Sequence, residues 1–426
     1  MDSENALSSS RLVVPNLPVS KRVGSLLRSM EYFVQNPPNG ERDDIESAFY
    51  SAVLDQQHAR PDFGELIQDF VAARPELTTT HTRYLLRSSF QKIAVRQHAD
   101  YPEGFNQTKW KNIISSYLDD SSIKNEIVSD LHNRHLQTNI KDRYKSLPVI
   151  IGWMRANKRI GHEVNILDFG SSRNHGLKHL SLMDKISGVR FSDTVVVEPI
   201  SESPAGSQDT LVNERHTAAF NHHQNMPVNL RVGLGIDKES IDDPTNAEWA
   251  RANLTHREFK EHKVDEYDLL DIMPVSQNVR FQQYDLLDAD QSKFFEVSPD
   301  DQGGFDIVSM FTMLNQMSET DRHRFLRLAR RYADPMGVVV VQDFARVNQD
   351  LSTDIEFLDA DWNKGFSHRT IVLDMLKPVK YQEAFLYATG RCDKVQIAVG
   401  ETAVKLVAGG NTAAVNLAEF LDVTSV

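Results

Sequence analysis

The chain has 426 residues, with 47 basic against 60 acidic side chains and a net charge of −13, a balance that disfavours non-specific nucleic-acid binding, which rests on neutralising phosphates. A single cysteine, Cys392, excludes an internal disulfide and fits a reducing compartment. No apolar run approaches the ~18 residues of a membrane span, and the start MDSENALSSS lacks a basic stretch followed by an apolar core, so the chain reads as cytoplasmic.

Residues 1–20 are rich in Ser and Asn, carry Pro15 and Pro18, and read as a flexible N-terminus. Over 21–160 the apolar residues recur at helical spacing. Ile45, Phe49, Val53 and Leu54 share one face, as do Phe63, Leu66, Ile67 and Phe70. Breakers at 36–40, 60–61 and 101–104 divide the pattern, and a helical N-terminal domain over 21–160 is the simplest account. A last helix-like run through Tyr144, Leu147, Ile151 and Trp153 is expected to pack beside the strand that follows. Before it stand Gln137, Thr138 and Asn139. Either they reach a ligand there, or Thr138 or Asn139 caps a helix.

The stretch from Val164 to Leu180 reads VNILDFGSSRNHGLKHL. An apolar run ends on Asp168, Gly170 follows, then small polar residues, then Gly176 and a helix-compatible segment. Strand, glycine turn, helix is the nucleoside- or phosphate-binding corner of an open α/β sheet. Further strands are expected at Thr194–Glu198, Val228–Asp237, Val279–Asp285, Phe305–Phe311 and Gly337–Phe344. Helices are expected from Asp243-Pro244 through Trp249 and over Arg322–Tyr332. The order of elements predicts a mainly parallel sheet with covered faces over 161–400. Three C-terminal strands, at His368–Met375, Glu383–Thr389 and Lys394–Val399, give it an antiparallel edge; helix is the alternative for 381–388. Residues 401–426 form a tail without an assigned structure.

Acids end three of these strands: Asp168, Asp237 and Asp285. Ligands of open α/β sheets sit beyond the carboxyl ends of the strands. One such carboxylate is placed to accept ribose hydroxyls, and another lies near a base. Gly170 lets the backbone approach a nucleoside where a side chain would clash.

This arrangement resembles the class I S-adenosylmethionine-dependent methyltransferases, whose first motif is acid-x-Gly-x-Gly-x-Gly. Asp168 and Gly170 match it, Ser172 and Asn174 replace the next two glycines, and Gly176 restores one after a two-residue shift. The phrase from Phe305 to Val341 is similar to that family's fourth strand, following helix and fifth strand. LQTNIKDR, ILDFGSS, GIDKESIDDPTNAEWARANL and VRFQQYD, in that order, also resemble the bacterial domain-of-unknown-function family 2332. Gln137, Thr138, Asn139, Gly235, Asp237, Asp243, Pro244 and Trp249 carry that second match.

The resemblance implies a Rossmann-like methyltransferase domain with S-adenosylmethionine over Gly170 and Ser171, Asp168 beneath it, Asp237 on the ribose, Asp285 near the adenine and Asn139 in reach. Spacing after Asp168 favours Glu198 over Asp237 as the ribose acid; the GID phrase favours Asp237. Methyl transfer asks mainly for alignment of nucleophile, methyl carbon and sulfur. Thr312, Asn315 and Gln316 near one strand end, and Asp343 near the next, are the catalytic candidates, each with a structural role as its alternative. The acceptor is expected to be a small molecule or a protein. The other reading is a non-catalytic relative that senses cofactor or serves as an interaction scaffold, in which side chains would fill the space above Gly170. His175 and His179, four apart, give no third metal ligand; His222-His223 reads as a solvated loop, and the arginines between 322 and 331 as a solvated helix face.

Overall fold

A computed structural model describes residues 17–35, 44–137, 141–183, 191, 196–199, 218–254, 270, 277–288, 304–314, 317, 319–344, 368–376, 381–387 and 394–397. The chain divides into two units. One comprises Met1–Thr138 with Asp243–Leu269, the other Asn139–Asp242 with Leu270–Val426. The division falls at residue 138, not at 160, and the segment after Asp242 belongs with the helices.

The helical unit holds α1 (Val19–Gln35), α2 (Asp44–Ala59), α3 (Pro61–Ala73), α4 (Thr79–Gln97), α5 (Gln107–Asp119) and α6 (Ser121–Asn133). Their starts are written in the sequence. Pro61 opens α3 in its first turn. The side chains of Thr78, Asn106 and Asp120 accept first-turn N–H groups of α4, α5 and α6. Helix α4 is buried along most of its length, including its polar residues. Those polar groups are paired, as burial demands: Arg87 with Glu46 at 3.3 Å, Lys92 with Asp130 at 2.5 Å and with Glu126 at 2.9 Å.

Three of the polar residues on α4 hold a visitor. After Asp242 the chain forms α9 (Pro244–Ala252), capped by Asp243 as the Asp-Pro pair predicts. Its Trp249 is fully buried in the helical core, and the indole Nε1 donates to the His135 carbonyl at 2.8 Å. Arg87 and Gln91 donate to the carbonyls of Asn253 and Leu254, and Ser88 to the Asn253 side chain. The sequence pattern had assigned this helix to the sheet domain.

The second unit is built on nine strands: β1 (Val164–Phe169), β2 (Val196–Pro199), β3 (Leu230–Asp237), β4 (Val279–Gln283), β5 (Phe305–Phe311), β6 (Ala333–Phe344), β7 (His368–Asp374), β8 (Tyr381–Tyr387) and β9 (Lys394–Ile397). Their order is β2-β9-β8-β7-β6-β5-β1-β3-β4. The run β6-β5-β1-β3-β4 is parallel throughout, and β7, β8 and β9 add an antiparallel edge. Residues 381–387 are strand, which closes the helical alternative. Ile166, Ile307, Val338 and Val340 face one apolar layer with α7 (Ser146–Ala156) and α8 (His175–Leu182). Leu167, Phe169, Val308, Met310, Val339 and Val341 face the other, with α10 (Glu319–Tyr332). Both faces are covered, so β1, β5 and β6 read as nearly unbroken apolar runs. The architecture is mixed α/β with a mostly parallel sheet and a helical N-terminal region. No helix among the described residues is long and apolar enough to cross a membrane.

Candidate functional site

Chain order reverses where β1 lies between β3 and β5, and the carboxyl end of that junction is where such sheets bind ligands. Gly170 turns the chain there with φ 68°, and its N–H donates to the Ile236 carbonyl at 2.8 Å. Two more residues of the loop are left-handed: Ser172 at φ 51° and Asn174 at φ 59°. Positions 170, 172 and 174 are the three glycine positions of the acid-x-Gly-x-Gly-x-Gly pattern. The loop therefore keeps a backbone that glycine adopts freely, with two side chains in places that cost about 1–2 kcal/mol per L-residue. Asn174 offsets that cost by donating to the Arg280 carbonyl at 3.0 Å. Among the described residues the buried Ser172 Oγ has no hydrogen-bond partner. Ser172→Gly is expected to stabilise the protein by about 1 kcal/mol, read as a raised urea midpoint; a lowered midpoint would give Ser172 a role that the strain does not explain.

The side chains at this corner also need room. Ser171 Oγ and Asn174 Oδ1 would lie 2.6 and 2.4 Å from a Cβ on Gly235. Bareness on β3 thus accommodates bulk on the loop. Gly176 is bare for another reason: a Cβ there would stand 2.1 Å from the ring of Tyr144. It gives room to the Tyr144 ring, not to a ligand.

Asp168, at the end of β1, is almost fully buried. The Tyr144 hydroxyl donates to its Oδ2 at 2.6 Å and the Ser309 hydroxyl to its Oδ1 at 2.7 Å. Burial pushes the carboxyl up to about 7 against the pull of those two donors, with Asp237 adding to the rise. Asp237 receives the Ser172 N–H on Oδ2 at 2.8 Å and the Glu239 N–H on Oδ1 at 3.2 Å. Burial raises this carboxyl too, against those two N–H groups, the Lys238 charge and the Lys238 N–H. A carboxylate offers about four acceptor positions, so beside these three N–H groups Asp237 keeps about one for a further donor such as a sugar hydroxyl.

Asp168, Gly170, Ser171 and Asp237 are thus brought together. Asp285 is exposed beyond β4, where its Oδ1 accepts the Leu287 N–H at 2.9 Å and caps a turn. Glu198 is corrected: it lies on β2, six strand positions from β1 at the opposite edge, roughly 30 Å along the sheet. Asp343 is buried on β6, but side chains alternate along a strand. Its neighbour Gln342 donates to the Arg143 carbonyl on the Tyr144 side, which places Asp343 on the other face from Asp168. Asn139, Asn315, Gln316, Thr138 and Cys392 lie outside the described residues.

Sequence reasoning missed Tyr144 as a polar partner, together with Ser309, Arg143 and Met313. Tyr144 looked like one apolar position of a helix; only the fold shows its hydroxyl on Asp168. Arg143 donates to the Thr312 hydroxyl, and Thr312 is left-handed at φ 53°. The Met313 side chain lies against Gly170, 3.1 Å from where a Cβ would be. His223 is buried on a helix over 218–224, not in a solvated loop, and burial lowers its pKa to about 4. Arg322 and Arg324 bond the carbonyls of Leu314, Leu287 and Asp288, so that helix face is partly engaged. Among the described residues no group of three His, Cys, Asp or Glu is placed to hold a metal.

No family model matches the chain, and no curated protein matches it. The two resemblances drawn from the sequence therefore rest on the residues alone. Among solved structures, the chain is similar to the methyltransferase subunit of a type I restriction-modification system from Streptococcus thermophilus. The identity is 14% over 82% of this chain and 77% of that one, with a TM-score of 0.18. A likeness that slight carries no argument about the site.

Proposed function

We propose that the sheet unit binds S-adenosylmethionine at the carboxyl end of β1 and transfers its methyl group to a small-molecule or protein acceptor. The observation that carries this reading is the left-handed backbone at all three glycine positions, 170, 172 and 174. Two polar features support it. Ser171 Oγ and Ser172 Oγ are buried without a hydrogen-bond partner among the described residues, and Asp237 retains acceptor capacity beside them. Those groups and the Gly170 backbone would hold the nucleoside, with Asp237 on the ribose. When bound, the cofactor supplies an electrophilic methyl on a sulfonium leaving group. The chain's own task is to orient the cofactor and keep water out. The net charge of −13 favours a small molecule or protein over bulk nucleic acid as acceptor.

One observation favours a second reading, a non-catalytic relative: Met313 fills the space over Gly170, as expected of a scaffold. Calorimetric titration with S-adenosylmethionine and S-adenosylhomocysteine, beside Asp237→Ala, separates the two. Micromolar binding weakened at least tenfold by Asp237→Ala is the expected result. Absence of binding at millimolar ligand, to the wild type and to Met313→Ala alike, would leave the scaffold.

A further inference from the structure

The space beside Gly170 where a Cβ would stand is occupied. Met313 Sδ, Cβ and Cε lie 3.1, 3.3 and 3.4 Å from the missing Cβ position. The turn that carries this side chain is held at both ends. The Thr312 N–H donates to the Gln342 carbonyl at 2.7 Å, and its hydroxyl accepts from Arg143. Arg322 Nε donates to the Leu314 carbonyl at 2.9 Å, and the Met317 N–H to the same carbonyl at 3.1 Å. Two arginines from different elements thus hold the turn that carries Met313.

That turn is nonetheless strained. Thr312 is β-branched and sits at φ 53°, a conformation such residues rarely adopt. Strain of this kind persists where the surroundings over-determine it, and it clusters at ligand clamps and switches. Release from Arg143 would let Thr312 take an ordinary φ and draw Met313 away from Gly170. Methionine suits the part, since its unbranched thioether repacks easily.

We propose that Met313 is a displaceable plug of the nucleoside seat, latched by Arg143 through Thr312, and that ligand binding requires its withdrawal. The proposal rests on the reading of that seat as a cofactor site, and it turns the observation that favours a scaffold into a closed state of a binding protein. A closed state weakens apparent affinity by the fraction of molecules that are open. Met313→Ala empties the seat without disturbing Thr312 or its latch, whereas Met313→Leu keeps it filled.

The test is calorimetric titration of the full chain, wild type and both variants, with S-adenosylhomocysteine, each variant first checked by thermal melting. The expected result is binding tightened about tenfold in Met313→Ala and unaltered in Met313→Leu. Binding to Met313→Ala with none to the wild type would support both the plug and the seat. Equal or weaker binding in Met313→Ala, with the wild type binding, would overturn the plug and leave the seat standing. No binding to any of the three would overturn the seat itself, and the plug with it.

Discussion

Asp168→Asn is expected to leave stability unaltered near pH 4 and to raise it progressively up to pH 8. Burial lifts the Asp168 carboxyl from 3.8 to about 7 in the folded protein. Between those values the folded state binds a proton that the unfolded state has lost. Stability therefore falls as pH rises through that window, because the unfolded chain binds fewer protons. Above pH 7 the penalty for the buried ionised carboxyl is fully present. Three pKa units correspond to about 4 kcal/mol at about 1.4 kcal/mol per unit. The amide has no such proton to lose. Tyr144 and Ser309 are hydroxyls and can donate to its oxygen or accept from its nitrogen, so both bonds survive the exchange. Hydrogen-exchange protection of the β1 and β5 amides, compared between wild type and variant from pH 4 to 8, isolates the sheet unit from the helices. A difference that does not grow with pH would show that Asp168 is not the group that titrates.

Gly176→Ala is expected to destabilise the sheet unit by about 3 kcal/mol, at the upper end of what overpacking costs. Its Cβ would stand 2.1, 2.2 and 2.3 Å from Cζ, Cε1 and Cε2 of Tyr144. The ring cannot swing aside freely. Its hydroxyl is bonded to Asp168 and its edge packs on Phe311, with centroids 4.6 Å apart. Tyr144→Ala alone removes the ring and costs a similar amount through the cavity left behind. The double variant is expected to cost well under the sum of the two, since the added methyl then fills part of the hole. Urea unfolding of the four proteins measures this coupling. Strict additivity would mean that the two residues do not compete for the same space.

The strand-turn-helix corner was legible because each step has a local cause. An apolar run ends on an acid, a glycine supplies a positive φ, and Asp243 and Pro244 cap and open a helix. The strands at Phe305–Phe311 and His368–Asp374 were legible through unbroken or alternating apolar residues. What was not legible depends on partners distant in sequence. Glu198 had better spacing than Asp237 as a ribose acid, but spacing cannot tell that β2 joins β9 at the far edge. Ser172 and Asn174 read as lost glycines; their composition hid a backbone that remained left-handed. Gly235 read as part of a motif, while its bareness gives room to Ser171 and Asn174. Tyr144 is one step along a helical period, and no periodicity announces a hydroxyl bonded to an acid 24 residues away.

The capture of α9 by the helical unit has a consequence for biosynthesis. A ribosome completes residues 1–138 long before it reaches Trp249, so the nascent helices emerge without the indole at their centre and without the carbonyls that Arg87 and Gln91 serve. Domains generally fold as units, N-terminal first, during translation. Here the segment that completes the helical core is made only after β1 and β3, from within the second unit's stretch of chain. The helical core is complete only with the sheet half written.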